Sequence, residues 1–81
     1  MPKVRRENMP EAVLRHLARR VRERQISVEQ LGELSEWLAN EPIVPSARWY
    51  KRFPSFTLCG EGELVKTFLM AGQLPEGQEV R

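Results

Sequence analysis

Residue types that could perform catalysis are scarce in this chain. The single histidine, His16, and the single cysteine, Cys59, are the only pair that could act as base and nucleophile. They fall in different predicted elements, and we expect a surface histidine and a small apolar strand residue. One histidine and one cysteine also cannot supply the four ligands of a tetrahedral metal site. We therefore expect no enzymatic activity, no metal and no cofactor.

A phosphate-binding loop has one candidate position, the segment Gly60-Glu61-Gly62. No lysine follows it, and Glu61 places a carboxylate where the bound anion would lie. The segment is therefore predicted to be a turn.

The composition is that of one small domain. The chain has 81 residues and a net charge of +2, and this length supports one hydrophobic core without disulfides or metals. Cys59 alone cannot form an internal disulfide, which favours a reducing compartment. No apolar run approaches the roughly 20 residues that span a bilayer, and no apolar segment follows Lys3, Arg5 and Arg6 as a signal peptide requires. We expect a cytoplasmic protein that binds no membrane.

Charged residues are sorted along the chain, with a basic segment, an acidic segment and a second basic segment in succession. Cations on separate elements can act as one surface if folding brings the elements together. The residues concerned are Arg15, Arg19 and Arg22, then Glu29, Glu33 and Glu36, then Arg48, Lys51 and Arg52.

The first of the predicted elements is an amphipathic helix that begins near Asn8 and Pro10 and runs to about Arg24. Its apolar residues follow the 3.6-residue period of a helix and form one stripe. The stripe consists of Val13, Leu14, Leu17, Ala18 and Val21.

A second helix is predicted from a capping box, in which Ser27 is followed three residues later by Gln30. It should end near Asn40. Gly32 lies in its interior, where glycine costs about 1 kcal/mol relative to alanine, so we expect close approach of the first helix there.

A short third helix is predicted from Pro45 to Phe53, closed by Pro54. On this helix Trp49 and Phe53 would face inward, and the cations Arg48, Lys51 and Arg52 would face outward.

The remaining sequence predicts a β-hairpin from Phe56 to Leu69 with a glycine-containing turn. Its second arm, residues 64–69, also fits a helix, but Val65, Thr67 and Phe68 favour a strand. The predicted organisation is a flexible basic N-terminus at 1–7, a globular domain at 8–72 and an irregular tail at 73–81.

This order of elements resembles winged helix-turn-helix DNA-binding domains. The resemblance rests on Ser27–Asn40 as second helix, Pro45–Phe53 as recognition helix and Phe56–Leu69 as wing. It implies an α+β fold with a three-helix N-terminal part and a two-stranded hairpin. Two departures are the proline-bounded connection at 41–45 and the acidic residues Glu61 and Glu63 at the wing tip, which would repel phosphates.

The first functional hypothesis is a small DNA-binding protein, a regulator or an accessory factor. Arginine suits this role because its planar fork pairs bidentately with phosphate or guanine. The candidate residues on duplex DNA are Arg15, Arg19, Arg22, Arg48, Lys51 and Arg52. Solvated helix faces are the simpler interpretation of the same pattern.

The alternative is a protein-interaction module whose partner is another protein or a second copy in a homodimer. Trp37 lies off the apolar stripe of the second helix and could form the centre of an interface, or it could pack against the hairpin. The acidic residues Glu29, Glu33 and Glu36 could pair with a basic partner.

Overall fold

Two helices precede a four-stranded sheet in the computed structural model, which describes residues 2–70 and 72–81. The strand order is β3-β2-β1-β4, with β2 antiparallel to both neighbours and β4 parallel to β1. The elements are a 3-10 turn at Arg6–Asn8, α1 at Glu11–Arg22, α2 at Val28–Ala39, β1 at Arg48–Arg52, β2 at Phe56–Glu61, β3 at Leu64–Met70 and β4 at Gln78–Glu79.

The two predicted helices are present, each slightly shorter than expected. Pro10 rather than Asn8 caps α1, and α1 ends at Arg22 because Arg24 adopts a positive φ of 62°. The predicted cap of α2 is confirmed, since the Ser27 hydroxyl oxygen accepts a hydrogen bond from the Gln30 amide at 3.3 Å.

The third helix predicted at 45–53 is wrong, because residues 48–52 form β1. Trp49 lies opposite Gly60 and Lys51 opposite Leu58 on the helix-facing side of the sheet. Aromatic residues favour a pleated surface when neighbouring strands are available, and β1 has one on each side. The helical periodicity of residues 45–53 contains no information about these neighbouring strands. Pairing with them determines the conformation instead.

The winged-helix arrangement is consequently wrong, and so is the two-stranded hairpin as the whole β-structure. The β2–β3 hairpin is present, and residues 64–69 are a strand as favoured. The sheet nevertheless has four strands, because β1 pairs with β2 and the chain returns to place β4 beside β1. The fold is still α+β, but the predicted recognition helix is a central strand of the sheet.

Both ends of the chain are attached to the domain. Val4 is fully buried, and its amide donates a hydrogen bond to the Pro42 carbonyl at 3.0 Å. Lys3 forms an isolated antiparallel β-bridge with Ile43. At the other end the Val80 amide donates to the Tyr50 carbonyl at 2.7 Å. The basic N-terminal segment and the predicted irregular tail therefore both contribute backbone hydrogen bonds.

The core lies between the sheet and the two helices and is centred on Trp49. Its side chain has no exposed surface, and its Nε1 donates to the Gly62 carbonyl at 2.7 Å. The Trp37 ring of α2 lies 5.8 Å from the Trp49 ring, centroid to centroid. The buried apolar residues are Val4, Met9, Val13, Leu17, Ile26, Leu34, Leu38, Val44, Trp49, Phe56, Leu58 and Val65.

We predict that Gly60→Ala destabilises the domain by about 1–3 kcal/mol, because the added methyl group overpacks the core. A Cβ there would lie 2.6 Å from Trp49 Cε2 and 2.7 Å from the Leu64 carbonyl oxygen. The matched control is Gly32→Ala, where nothing lies within 4 Å, and it should stabilise the exposed helix by about 1 kcal/mol. Urea unfolding at low protein concentration measures both changes, and equal stability of Gly60→Ala and the wild type contradicts this packing.

Candidate functional site

The two residues considered for catalysis lie on opposite sides of the sheet. His16 is exposed on α1, whereas Cys59 alternates with the buried Leu58 and points to the face away from the helices. Burial raises the pKa of the Cys59 thiol, which disfavours the nucleophilic thiolate. Residues 2–70 and 72–81 contain no group of three or more histidine, cysteine or acidic side chains that could hold a metal ion.

A membrane-crossing helix is also not found in the described part of the chain. Neither α1 nor α2 is long and apolar enough to cross a bilayer.

The cations predicted to bind nucleic acid are divided between two surfaces. Arg15, Arg19 and Arg22 are exposed on α1, which lies against β3 in the helical layer. Arg48 and Arg52 alternate with the buried Trp49, so they lie on the opposite face of the sheet. The structure therefore does not bring the two basic groups together.

The outward-facing cations of β1 are engaged by the C-terminal segment. Arg48 Nη1 lies 2.7 Å from Glu76 Oε2, and Arg52 Nε lies 3.9 Å from Glu79 Oε2. The Arg52 guanidinium also lies 5.4 Å from the centre of the Tyr50 ring. These contacts reduce the positive potential of the strand, because each places a carboxylate beside a guanidinium.

Lys51 alternates with Arg48 and Arg52 along β1 and starts from the other face of the sheet, but Lys51 and Arg52 both line one cavity at the end of the strand, away from Arg48. Lys51 lines a cavity at the end of β1 with Trp37 and Phe53, and its Nζ lies 5.8 Å from the centre of the Phe53 ring. Glu33 and Glu36 of α2 line the same cavity.

Trp37 is half-buried and packs on the aromatic side of the core. Its ring lies 6.4 Å from Phe53 in an edge-to-face arrangement, in addition to its contact with Trp49. These contacts hold α2 on β1. Trp37 therefore lies at the periphery of the core, packed on Trp49 and Phe53 rather than on the β2–β3 hairpin that the packing alternative named.

An apolar groove lies between α1 and α2. Its volume is about 400 Å³. Leu14 is 51% exposed on one wall, and only Arg6 among the lining residues is charged. The groove is lined by Arg6, Met9, Leu14, Leu17, Ala18, Leu31, Leu34, Ser35 and Leu38.

Hydrogen bonds from Arg6 to Ser35 bound the groove at the N-terminal segment. Arg6 Nη2 donates to Ser35 Oγ at 3.1 Å, so the 3-10 turn before α1 is joined to α2. Met9 is buried beside this turn and contributes to the same surface. The groove is therefore bounded by three segments and is shaped by contacts that the domain itself makes.

A basic row follows the apolar wall on α1. Arg15 lies three residues before Ala18 and Arg22 four residues after it, so both flank Ala18 on the helix surface. The Arg15 side chain is 75% exposed and contacts Glu11 of its own helix at 3.3 Å.

On α2 the groove is followed first by small or apolar residues and then by acids. Gly32 and Ala39 lie three residues before and four residues after Ser35. Glu29 and Glu36 flank Gly32 in the same way. The expected approach of α1 to Gly32 is wrong, since nothing lies within 4 Å of a Cβ built there.

The groove was missed at the level of sequence, although its residues gave a signal. Leu14 and Ala18 belong to the predicted apolar stripe but are exposed, whereas Val13 and Leu17 are buried and Val21 is partly buried against the core. A stripe of five apolar residues is wider than the face of α1 that packs against the sheet. The excess width of the stripe was the signal that could have indicated a second contact surface.

Comparison with known proteins gives no relative, since no protein family model, curated protein or solved structure matches the chain significantly.

Proposed function

We propose that this domain is a protein-interaction module that binds an acidic amphipathic helix in the groove between α1 and α2. The groove supports this function because it is apolar, open and already formed. Leu14 supplies an exposed apolar contact, and Arg15 and Arg22 lie beside it. An apolar helix face would displace water from the groove, and acids on its flank would meet the arginines.

The proposed role places binding on the helices rather than on Trp37. Trp37 would act by holding α2 against β1, and thereby fix one wall of the groove. This agrees with its packing on Trp49 and Phe53.

We predict that Leu14→Glu weakens binding of a model acidic amphipathic peptide by about tenfold or more, because it removes apolar contact and adds a repelling charge. The matched control is Leu74→Glu, since Leu74 is 89% exposed and does not line the groove. Titration calorimetry with a peptide of about four helical turns measures the affinity.

A second peptide, with lysine replacing each glutamate, tests the role of charge at the groove. The proposal requires tight binding of the acidic peptide, weaker binding of the basic one, and loss of binding in Leu14→Glu alone. Equal loss in Leu14→Glu and Leu74→Glu contradicts it, as does the absence of binding of the acidic peptide to the wild type at protein concentrations where the chain is monomeric.

Duplex DNA is a second candidate partner, favoured by the exposed arginines of α1. The Arg15 and Arg19 side chains are 75% and 71% exposed, and each lies 3.3 Å from a carboxylate one turn away, Glu11 and Glu23 respectively. Arg22 lies on the same side of the helix. This reduced hypothesis uses neither a winged-helix arrangement nor the strand cations that pair with Glu76 and Glu79.

The DNA hypothesis predicts that Arg15→Ala with Arg19→Ala weakens binding of generic duplex DNA and reduces its salt dependence. Each lost phosphate contact should reduce the slope of log K against log salt by about 0.9. The comparison variant, Arg48→Ala with Arg52→Ala, removes the same charge from β1 and should change binding less. Fluorescence titration at low and moderate salt measures both, and absence of binding at low salt excludes the hypothesis.

A further inference from the structure

We infer that the groove is covered by the helical layer of a second copy, so that α1 and α2 of two chains pack face to face in a symmetric homodimer. This inference rests on the proposed function of the groove and names its occupant. The apolar residues Leu34 and Leu38 of α2 pack in its own core, so α2 presents its outward side to the partner, and on that side Val28 is 70% exposed.

The two helices have opposite charge. From Glu11 to Arg22 there are four arginines and one glutamate, whereas Val28–Ala39 has three glutamates and no cation. Within residues 2–70 and 72–81, no ion pair involves Glu29, Glu33 or Glu36. The acidic residues of α2 are therefore available to the α1 arginines of another copy.

The charged rows that border the groove also have the same spacing. Arg15 and Arg22 are seven residues apart, and so are Glu29 and Glu36. At 1.5 Å per residue, each pair spans about 10.5 Å along its helix. Two contacts between α1 and the partner's α2 can therefore form together without a mismatch in length.

Charge also selects the symmetry of the dimer. A two-fold axis along the groove places α1 of one copy on α2 of the other, and it creates two equivalent basic-to-acidic contacts. A two-fold axis across the helices would place α1 on α1 and α2 on α2, where like charges repel. The first arrangement is the one that the charges favour.

The surface of α2 beside its acidic row permits α1 of the second copy to approach closely. Gly32, Ser35 and Ala39 have small side chains on the exposed side of α2, and open space lies above Gly32. Leu14 and Val28 are large exposed apolar residues, one on each helix. Association would cover both of them and leave the charged rows at the rim.

The decisive experiment reverses one charged row at a time and then mixes the variants. One variant carries Arg15→Glu and Arg22→Glu, and the other carries Glu29→Lys and Glu36→Lys. Each alone places like charges at both contacts, so we expect self-association at least tenfold weaker than in the wild type. An equimolar mixture restores opposite charges at both contacts, so we expect a heterodimer of about wild-type affinity.

Sedimentation equilibrium over a range of protein and salt concentrations provides the readout. Circular dichroism of each variant confirms that both helices are folded before mixing. The control Glu61→Lys with Glu63→Lys makes the same charge change at the β2–β3 turn and should leave self-association unchanged. Wild-type association should also weaken as salt rises, because salt screens the paired charges.

A wild-type chain that stays monomeric, or a mixture of folded variants that does not associate, overturns the inference. The proposed groove function is judged separately by the acidic model peptide. Binding of that peptide to a monomeric wild type means that the groove is a docking site for another protein. Failure of both experiments removes the groove function together with the dimer.

Discussion

The burial of Trp49 beneath Gly60 is the contact on which the rest of the structure depends. The indole needs a neighbouring strand without a side chain at that position, and Gly60 of β2 supplies it. Its N–H is satisfied by the Gly62 carbonyl, which fixes the β2–β3 turn. Its other side receives Trp37, which fixes α2. One side chain thus positions the hairpin and one wall of the groove, because interiors are closely packed and a large ring leaves little freedom.

The elements that depend on local sequence signals were predicted correctly. The predictions were wrong where pairing with residues distant in the sequence determines the secondary structure. The cap at Ser27 and the helical stripes identified α1 and α2. The segment 48–52 fits a helix by its cations and aromatics, but it becomes a strand because β2 and β4 flank it. The two-residue β4 had no local signal, since it is held by pairing with Trp49 and Tyr50. The groove likewise depends on the distance between α1 and α2 above the sheet. The apolar pattern of a single helix does not specify that distance.

The separation of basic and acidic residues along the chain still shapes the surface, but it does not produce the single basic surface that the sequence predicted. The strand cations face acids of the C-terminal segment, so they do not extend the basic surface of α1. The basic and acidic helices instead border a common apolar groove. Opposite charge across such a surface favours a particular partner and orientation more than it adds affinity, while the apolar contacts supply most of the attraction. The domain thus combines a sheet whose cations are paired internally with a helical layer that carries an exposed apolar groove.

An isotope-filtered NOE measurement on a mixture of labelled and unlabelled chains tests the proposed dimer. It detects contacts only between methyl groups of different copies. In the dimer we expect intermolecular contacts from Leu14 of one copy to Val28 and Ala39 of the other. Intermolecular contacts confined to another surface, such as the free edge of β3, or no such contacts at high protein concentration, would contradict it.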